Sequence, residues 1–400
     1  MRTPVVLVGG QGDSDRLAGT LLNTPGTLVV GHQYDGQVVR RWVSIMRDGT
    51  LSTTELPLEL TNGCPGCTTR NDLLVLLRRL HRRDDVTRIV VQLAPWLEPE
   101  PVCSAINEVG VHVGPGYIDG PAGRDVCIEA VVTTVDSHTW LGRAIGSDEL
   151  DDGRTVAQVV VCQAEFADLL VVCPPDATTL SILRRLAPLA RITVGVDRVE
   201  QALVHLDPHT RRGRRRDPHG PLLAGQPPLD PAGEVALMEF TARRPFHPQR
   251  LHAAVDMLVD GVIRTRGRAF VANRLDDVMS IESAGGGVLV EYAGKWLAAM
   301  GPEELAHSDP ERRALAAVGW DERFGDRHIS MTVLVCGAHP TEIDSALRGA
   351  LLTDDELARP GDWSRYPDPF GDWHADPCQE LPDVRDEFTA RPRPRGEEEQ

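Results

Sequence analysis

Lysine is almost missing from this chain: of its 42 basic residues only Lys295 is a lysine, and the others are arginine. A phosphate loop of the Gly-x-x-x-x-Gly-Lys-Ser/Thr type needs that side chain for the outer phosphates, so no intact loop of this kind lies in the N-terminal half. Cysteine is sparse as well. Eight in 400 residues do not make a disulfide framework, and only Cys64 and Cys67 stand close together. Positive charge is in deficit, 42 basic against 59 acidic residues, with a net charge of -17 and a pI near 5.2. That balance argues against general or sequence-specific nucleic-acid binding, which needs clustered cations. No apolar run approaches the ~20 residues of a membrane span, and the opening MRTPVVLVGG has no signal-peptide core behind it. The expectation is a cytoplasmic protein with no membrane partner.

The remainder is ordinary for a folded protein. With 41% hydrophobic and 25% charged residues over 400 positions, two or three domains with real cores are expected. The segment Pro4-Val5-Val6-Leu7-Val8 reads as a strand, Gly9-Gly10-Gln11-Gly12-Asp13 as a tight turn, and Leu17, Leu21 and Leu22 as the apolar stripe of a helix. Further strand-like runs at 27–30, 88–93, 130–135 and 169–172 alternate with helical patterns such as Leu73, Leu74, Leu76, Leu77 and Leu80. Such alternation predicts a parallel α/β sheet covered on both faces, assigned to residues 1–204. Residues 205–233, rich in arginine and proline, read as a linker or long exposed loop. Residues 234–358 carry strand signals at 234–240, 268–272, 278–282, 288–292 and 331–336, and helices from Pro248 and Pro340, which predicts a small α+β domain. Residues 359–400 form an acidic tail expected to be irregular.

Cys64-Pro65-Gly66-Cys67 is the strongest chemical signal, because a Cys-x-x-Cys bend lets two thiolates converge on one Zn²⁺. The pair reads as a zinc site, a thiol redox couple or two inert cysteines in a turn. Thr69-Arg70-Asn71-Asp72 resembles a capping box and puts the start of the next helix just after Cys67. His374 and Cys378 are candidate supplementary ligands. Cys103, Cys127, Cys162, Cys173 and Cys336 lie in or beside apolar runs and read as small core residues. Arg211, Arg212, Arg214, Arg215 and Arg216 read as a solvated loop, or as a contact for RNA phosphate or an acidic partner.

The order of these pieces resembles the CobW-like family of GTP-binding proteins and zinc metallochaperones. Gly63-Cys64-Pro65-Gly66-Cys67 is similar to its Gly-Cys-x-Cys-Cys motif, Gln163-Ala164-Glu165-Phe166-Ala167-Asp168 to the segment before its guanine-recognition strand, and Arg244-Pro245-Phe246-His247-Pro248, Ser283-Ala284-Gly285-Gly286 and Phe324-Gly325-Asp326-Arg327 to its C-terminal domain. The resemblance implies a P-loop NTPase-like sheet domain followed by the CobW-type α+β domain. It also places a degenerate nucleotide site at Gly9, Gly10, Gly12, Arg16 and Asp176. Each nucleotide motif departs from the family pattern: Asp15 or Arg16 stands at the lysine position, Gln92-Leu93-Ala94-Pro95-Trp96 replaces the Glu-Thr-x-Gly switch, and Cys173-Pro174-Pro175-Asp176 keeps only the guanine-binding Asp. Gly66 replaces the middle cysteine, leaving Cys64 and Cys67 as metal ligands.

Within the family the chain is most similar to a branch that delivers a ribosome hibernation factor to the small ribosomal subunit when zinc is scarce. That resemblance implies zinc as the cofactor, GTP binding that is eroded, and ribosome association in the active state. The rival readings are a GTP-dependent zinc metallochaperone and a thiol redox protein.

Overall fold

The computed structural model describes residues 2–371, apart from residues 216 and 218; His374 and Cys378 therefore lie outside the described residues. Val5, Val6, Leu7 and Val8 are fully buried, so β1 (Thr3–Gly10) is covered on both faces and sits mid-sheet, as a continuous apolar strand must. The chain continues through α1 (Ser14–Leu22), β2 (Thr27–Tyr34), β3 (Val39–Arg47), β4 (Thr50–Leu58), α2 (Pro65–Leu80), β5 (Arg88–Gln92) and α3 (Pro99–Glu108). After the two-residue strands β6 (Gly110–Val111) and β7 (Gly120–Pro121) come β8 (Val126–Val135), α4 (Trp140–Ala144), α5 (Val156–Glu165), β9 (Leu169–Val172), α6 (Ala177–Leu186), β10 (Arg191–Val194) and α7 (Val199–Val204). The main sheet runs in the order β10-β9-β8-β1-β5-β2-β3-β4.

Its first six strands are parallel, as the sequence leads one to expect. The last two are not: β3 and β4 form an antiparallel hairpin on β2. This hairpin escapes a reading by apolar runs because β4 is exposed along nearly its whole length and so has no buried face to pattern. Helices α2 and α3 bury Leu73, Leu74, Leu77 and Ile106 against one face of the sheet. Helix α1 buries Leu17 and Leu21 against the other.

The second unit is an antiparallel sheet of β11 (Val235–Ala242), β12 (Val262–Val271), β13 (Arg274–Ala284), β14 (Gly287–Lys295) and β15 (Ile329–Cys336), ordered β11-β15-β12-β13-β14. Helices α8 (Pro248–Val255) and α11 (Pro340–Ala350) cover one face through Leu251, Ile343 and Leu347. The other face docks on the first domain, where Val160, Val161, Ile182 and Leu183 share a single apolar cluster with Val235, Ile263 and Leu334. Helices α9 (Pro302–His307) and α10 (Pro310–Val318) go beyond the two helices expected; neither buries a residue, so neither leaves an apolar stripe in the sequence. A short α12 (Asp354–Leu357) follows. Among the described residues no helix is long and apolar enough to cross a membrane.

Residues 205–233 hold no strand or helix among the described positions, but their first part is not a free loop. The Arg211 guanidinium lies 5.3 Å over the Phe166 ring, and the Arg212 amide donates to Asp168 Oδ1 at 2.9 Å. A Cβ on Gly213 would stand 2.6 Å from Ile128. The arginine run is therefore split: Arg211 is turned inward against the first domain, while Arg214 and Arg215 stay exposed.

Candidate functional site

The turn after β1 is closed on itself. Gly10 has a φ of +106 and a Cβ there would stand 2.2 Å from the Thr134 carbonyl oxygen, so only glycine fits the approach to β8. That carbonyl accepts from the amides of both Gln11 and Gly12, at 3.1 and 3.2 Å. Ser14 N donates to Gly12 O at 2.9 Å, and Arg16 N to Asp13 Oδ1 at 3.0 Å. Four amides that a phosphate loop would aim at an anion are thus committed within the chain. Asp13 caps α1, setting the protein's own carboxylate where a helix N-terminus would hold a phosphate. A second carboxylate, Asp15, accepts from the Gln92 side-chain amide.

The other nucleotide elements are also engaged elsewhere. The Pro95 carbonyl accepts from Gln11 and from Gln163 Nε2 at 2.8 Å, which ties the switch segment to the turn it should move against. Arg16, the only cation in the turn, points to Asp197 at 3.4 Å with both side chains exposed. Asp176, two strands away at the same sheet edge, caps α6 by accepting from Thr179 N at 2.7 Å, and that amide holds its carboxyl below the usual carboxylate value. Gly9, Gly10, Gly12 and Arg16 do share one turn, but the donors around them do not fit a triphosphate.

Cys64 and Cys67 present a different chemistry. Cys64 is the N-cap of α2 and Pro65 its first residue, so the helix opens at the proline. The capping box at Thr69-Arg70-Asn71-Asp72 therefore does not mark its start: those residues lie inside the helix, and Cys67 sits in the first turn. Cys64 Sγ accepts from the Cys67 amide at 3.3 Å. That amide, followed by the Cys67 thiol, pushes the Cys64 thiol down from its ordinary value, as expected where N–H groups converge on sulfur. The turn is stiffened by Thr68, whose hydroxyl donates to Cys64 O and accepts from Thr61 N, both at 2.8 Å.

Two thiolates suit zinc, whose closed sites take four ligands. Among the described residues no group of three or more His, Cys, Asp or Glu side chains is placed to hold a metal, so Cys64 and Cys67 account for half a coordination shell. A Cβ at Gly66 would stand 4.0 Å from Cys64 Sγ, so a cysteine in its place would begin beside the pair. The body of α2 is fixed independently: Asp72 accepts from Arg41 Nη1 at 2.7 Å and meets His32 Nε2 at 2.8 Å, and Arg78 reaches Asp125 at 2.7 Å.

The sequence reading misses the Asp13 cap, the Thr134 acceptor and the His32-Asp72-Arg41 cluster. Only the first carries a local signal, an Asp three residues before the amide it caps; the others depend on long-range pairing. Of the remaining cysteines, Cys103 and Cys336 are buried and Cys127 and Cys162 partly so, but Cys173 is exposed and is not a core residue, because it lies just past the buried end of β9.

Two family models divide the chain in the same way. Residues 32–191 match the CobW/HypB/UreG nucleotide-binding domain, a match that begins within β2, after the closed turn. Residues 235–351 match the cobalamin synthesis protein cobW C-terminal domain. A zinc chaperone of Mycobacterium tuberculosis is 63% identical over 390 residues, covering 98% of both chains. Zinc-regulated GTPase metalloprotein activator 1 of Dictyostelium discoideum is 25% identical over 350 residues, 80% of this chain and 71% of that one. The Zn(II)-bound YjiA GTPase of E. coli aligns over 88% of this chain and 99% of its own, with 11% identity and a TM-score of 0.38. With its α/β sheet domain, its separate antiparallel domain and relatives named for zinc, this chain belongs to the CobW/HypB/UreG family.

Proposed function

We propose that this protein is a zinc-responsive adaptor that acts by changing what it binds rather than by turning over GTP, and that its partners are a ribosome hibernation factor and the small ribosomal subunit. The observation that carries the first half is the turn at residues 9–16, where Asp13 occupies the helix N-terminus and the Gln11 and Gly12 amides are spent on Thr134. The partner assignment rests on the sequence resemblance. Zinc enters at Cys64 and Cys67, whose further ligands come from outside the described residues or from a partner, so that occupancy follows supply. Because Asp72, Arg78 and the leucines of α2 hold the helix in place, the part left to respond is the segment leading into it, residues 59–66, which is tied to the helix through the Thr68 hydroxyl. A hundredfold preference of zinc for one arrangement, about 2.7 kcal/mol, is enough to move most of the population.

Calorimetry and pull-down test this together. Mg²⁺-GTP should give no saturable heat, Zn²⁺ should bind in a manner lost with Cys64→Ser, and small-subunit capture should occur from zinc-limited but not zinc-replete cells. Zinc-independent capture would remove the adaptor reading. The second reading, a GTP-dependent zinc metallochaperone, draws on the names of the two relatives; it predicts tight GTP binding and GTP-dependent zinc release, either of which would displace the first.

A further inference from the structure

The C-terminal domain holds a cavity of about 270 Å³ whose lining includes Arg243, Arg268, Arg312, Trp296, His219 and His328. It is remote from both the closed turn and the cysteine pair in sequence and in fold. Three arginines come from three different elements: Arg243 just beyond β11, Arg268 on β12 and Arg312 on α10. Arg243 and Arg312 each donate to one backbone carbonyl, those of Gly319 and Lys295. Among the described residues the Arg268 side chain donates to none, and its Nε is buried without an acceptor. The indole Nε1 of Trp296, a residue only 2% exposed, is buried in the same condition.

Two acidic groups, Asp326 and Asp217, face Arg268 and Arg312 by charge, but their hydrogen bonds go to backbone amides. Asp326 spends one carboxylate oxygen on Leu297 N and the other on Ala298 N, both at 2.9 Å, and Asp217 caps His219 N at 2.9 Å. Among the described residues neither carboxylate is within ion-pair distance of the three arginines, so the charge of each reaches Arg268 and Arg312 without a direct hydrogen bond. The histidines add no acceptor charge: His328 Nδ1 is engaged with the Asp326 carbonyl at 2.8 Å, and burial followed by the charge of Arg312 pushes His219 down to about 4. A guanidinium Nε–H and an indole N–H buried without acceptors are costly unless something brings acceptors to them. The rest of the lining is Asp326, whose two carboxylate oxygens are taken by backbone amides, with Gly319 and the apolar side chains of Pro221, Leu315 and Ala316.

We propose that this cavity is a binding site for a small phosphate monoester, its phosphate held by Arg268 and Arg312 with Arg243 beside them, and its organic part lying on Pro221, Leu315 and Ala316. Planar guanidiniums from separate elements suit a tetrahedral dianion, and the volume, just under the about 300–1,000 Å³ of drug-sized sites, limits the ligand to a small one. The site is independent of the zinc reading and of the turn at residues 9–16.

The test titrates the full chain with phenyl phosphate, inorganic phosphate and succinate at low ionic strength. Phenyl phosphate should bind, more tightly than inorganic phosphate, and at least tenfold more weakly to Arg268→Gln and to Arg312→Gln. Asp13→Ala and the surface control Arg365→Gln should bind as the parent does. Circular dichroism and the urea midpoint report folding of each variant, and if Arg268→Gln does not fold, Arg312→Gln, on an exposed helix, decides. No saturable binding of phenyl phosphate, equal loss in Arg365→Gln, or succinate binding as tightly as phenyl phosphate would overturn the assignment.

Discussion

Glu165, at the end of α5, and Arg264, on β12, meet at 3.0 Å with both side chains more than nine-tenths buried, an ion pair sealed between the two domains. Arg266 also contacts Glu165, and Arg264 reaches Glu282 at 2.5 Å, so one carboxylate from the first domain serves two arginines of the second. Desolvating such groups is tolerable only while each keeps its partner. Glu165→Gln should therefore cost about 3 kcal/mol, seen as an earlier urea midpoint and faster proteolysis within residues 205–233 as the domains part. A double change to Glu165→Leu with Arg264→Met should recover much of the loss, since it removes both charges. If the single variant melts as the parent does, the pair does not hold the seam.

At the turn after β1 two substitutions separate backbone geometry from charge. Gly10→Ala forces a Cβ into the Thr134 carbonyl at a φ of +106 and should lower stability by at least about 2 kcal/mol. Asp13→Ala removes a cap and should cost only about 1 kcal/mol. Neither should create Mg²⁺-GTP binding, because the Gln11 and Gly12 amides remain on Thr134 in the second and the turn is distorted in the first. GTP affinity gained by Asp13→Ala would show that the carboxylate alone excludes the nucleotide.

The strands that carry the first domain were legible because they are buried on both faces and so read as unbroken apolar runs, as Val5, Val6, Leu7 and Val8 do. The hairpin of β3 and β4 was not, since its outer strand meets only solvent, and α9 and α10 bury no side chain to set a period. The cysteine pair was plain in the sequence. The start of its helix was misplaced because Pro65 at the first helical position outweighs the Thr69 box. The arginine cavity was invisible, because Arg243, Arg268 and Arg312 are far apart in sequence and are brought together only by the sheet and by the Arg312 bond from α10 to the Lys295 carbonyl.

Glu356 gives a pH-dependent handle on the second domain. Arg250 donates to both of its oxygens, at 2.9 and 2.6 Å, and this holds its carboxyl at about 2. The folded value is depressed, so the stabilisation is fully present above the ordinary carboxylate value near 4.5 and is lost as pH falls through that value toward about 2. The pair is partly solvent-screened, so Glu356→Gln should cost about 1 kcal/mol at pH 7. The gap between variant and parent in urea midpoint should close as the pH is lowered through this window. A gap independent of pH would assign the effect to the Thr353 capping box instead of the ion pair.

The reactivity of Cys64 should reveal which group tunes it. Its thiol is lowered first by the Cys67 backbone amide and then by the Cys67 side chain, whereas burial pushes Cys103 up and Cys162 up to about 12. Since the thiolate is the nucleophile, iodoacetamide at pH 7 should label Cys64 well before Cys103 or Cys162, and Zn²⁺ should protect it. Cys67→Ala keeps the amide and removes only the thiol, so the alkylation midpoint of Cys64 should move up part of the way toward a free thiol. Pro65 and the Thr68 hydroxyl hold the turn that aims the amide, so Thr68→Val should also raise the midpoint while leaving both thiols in place. Peptide mass mapping across a pH series reads each position separately. A midpoint in Cys67→Ala that returns wholly to the ordinary thiol value would show that the second sulfur, not the helix amide, sets the chemistry of the pair.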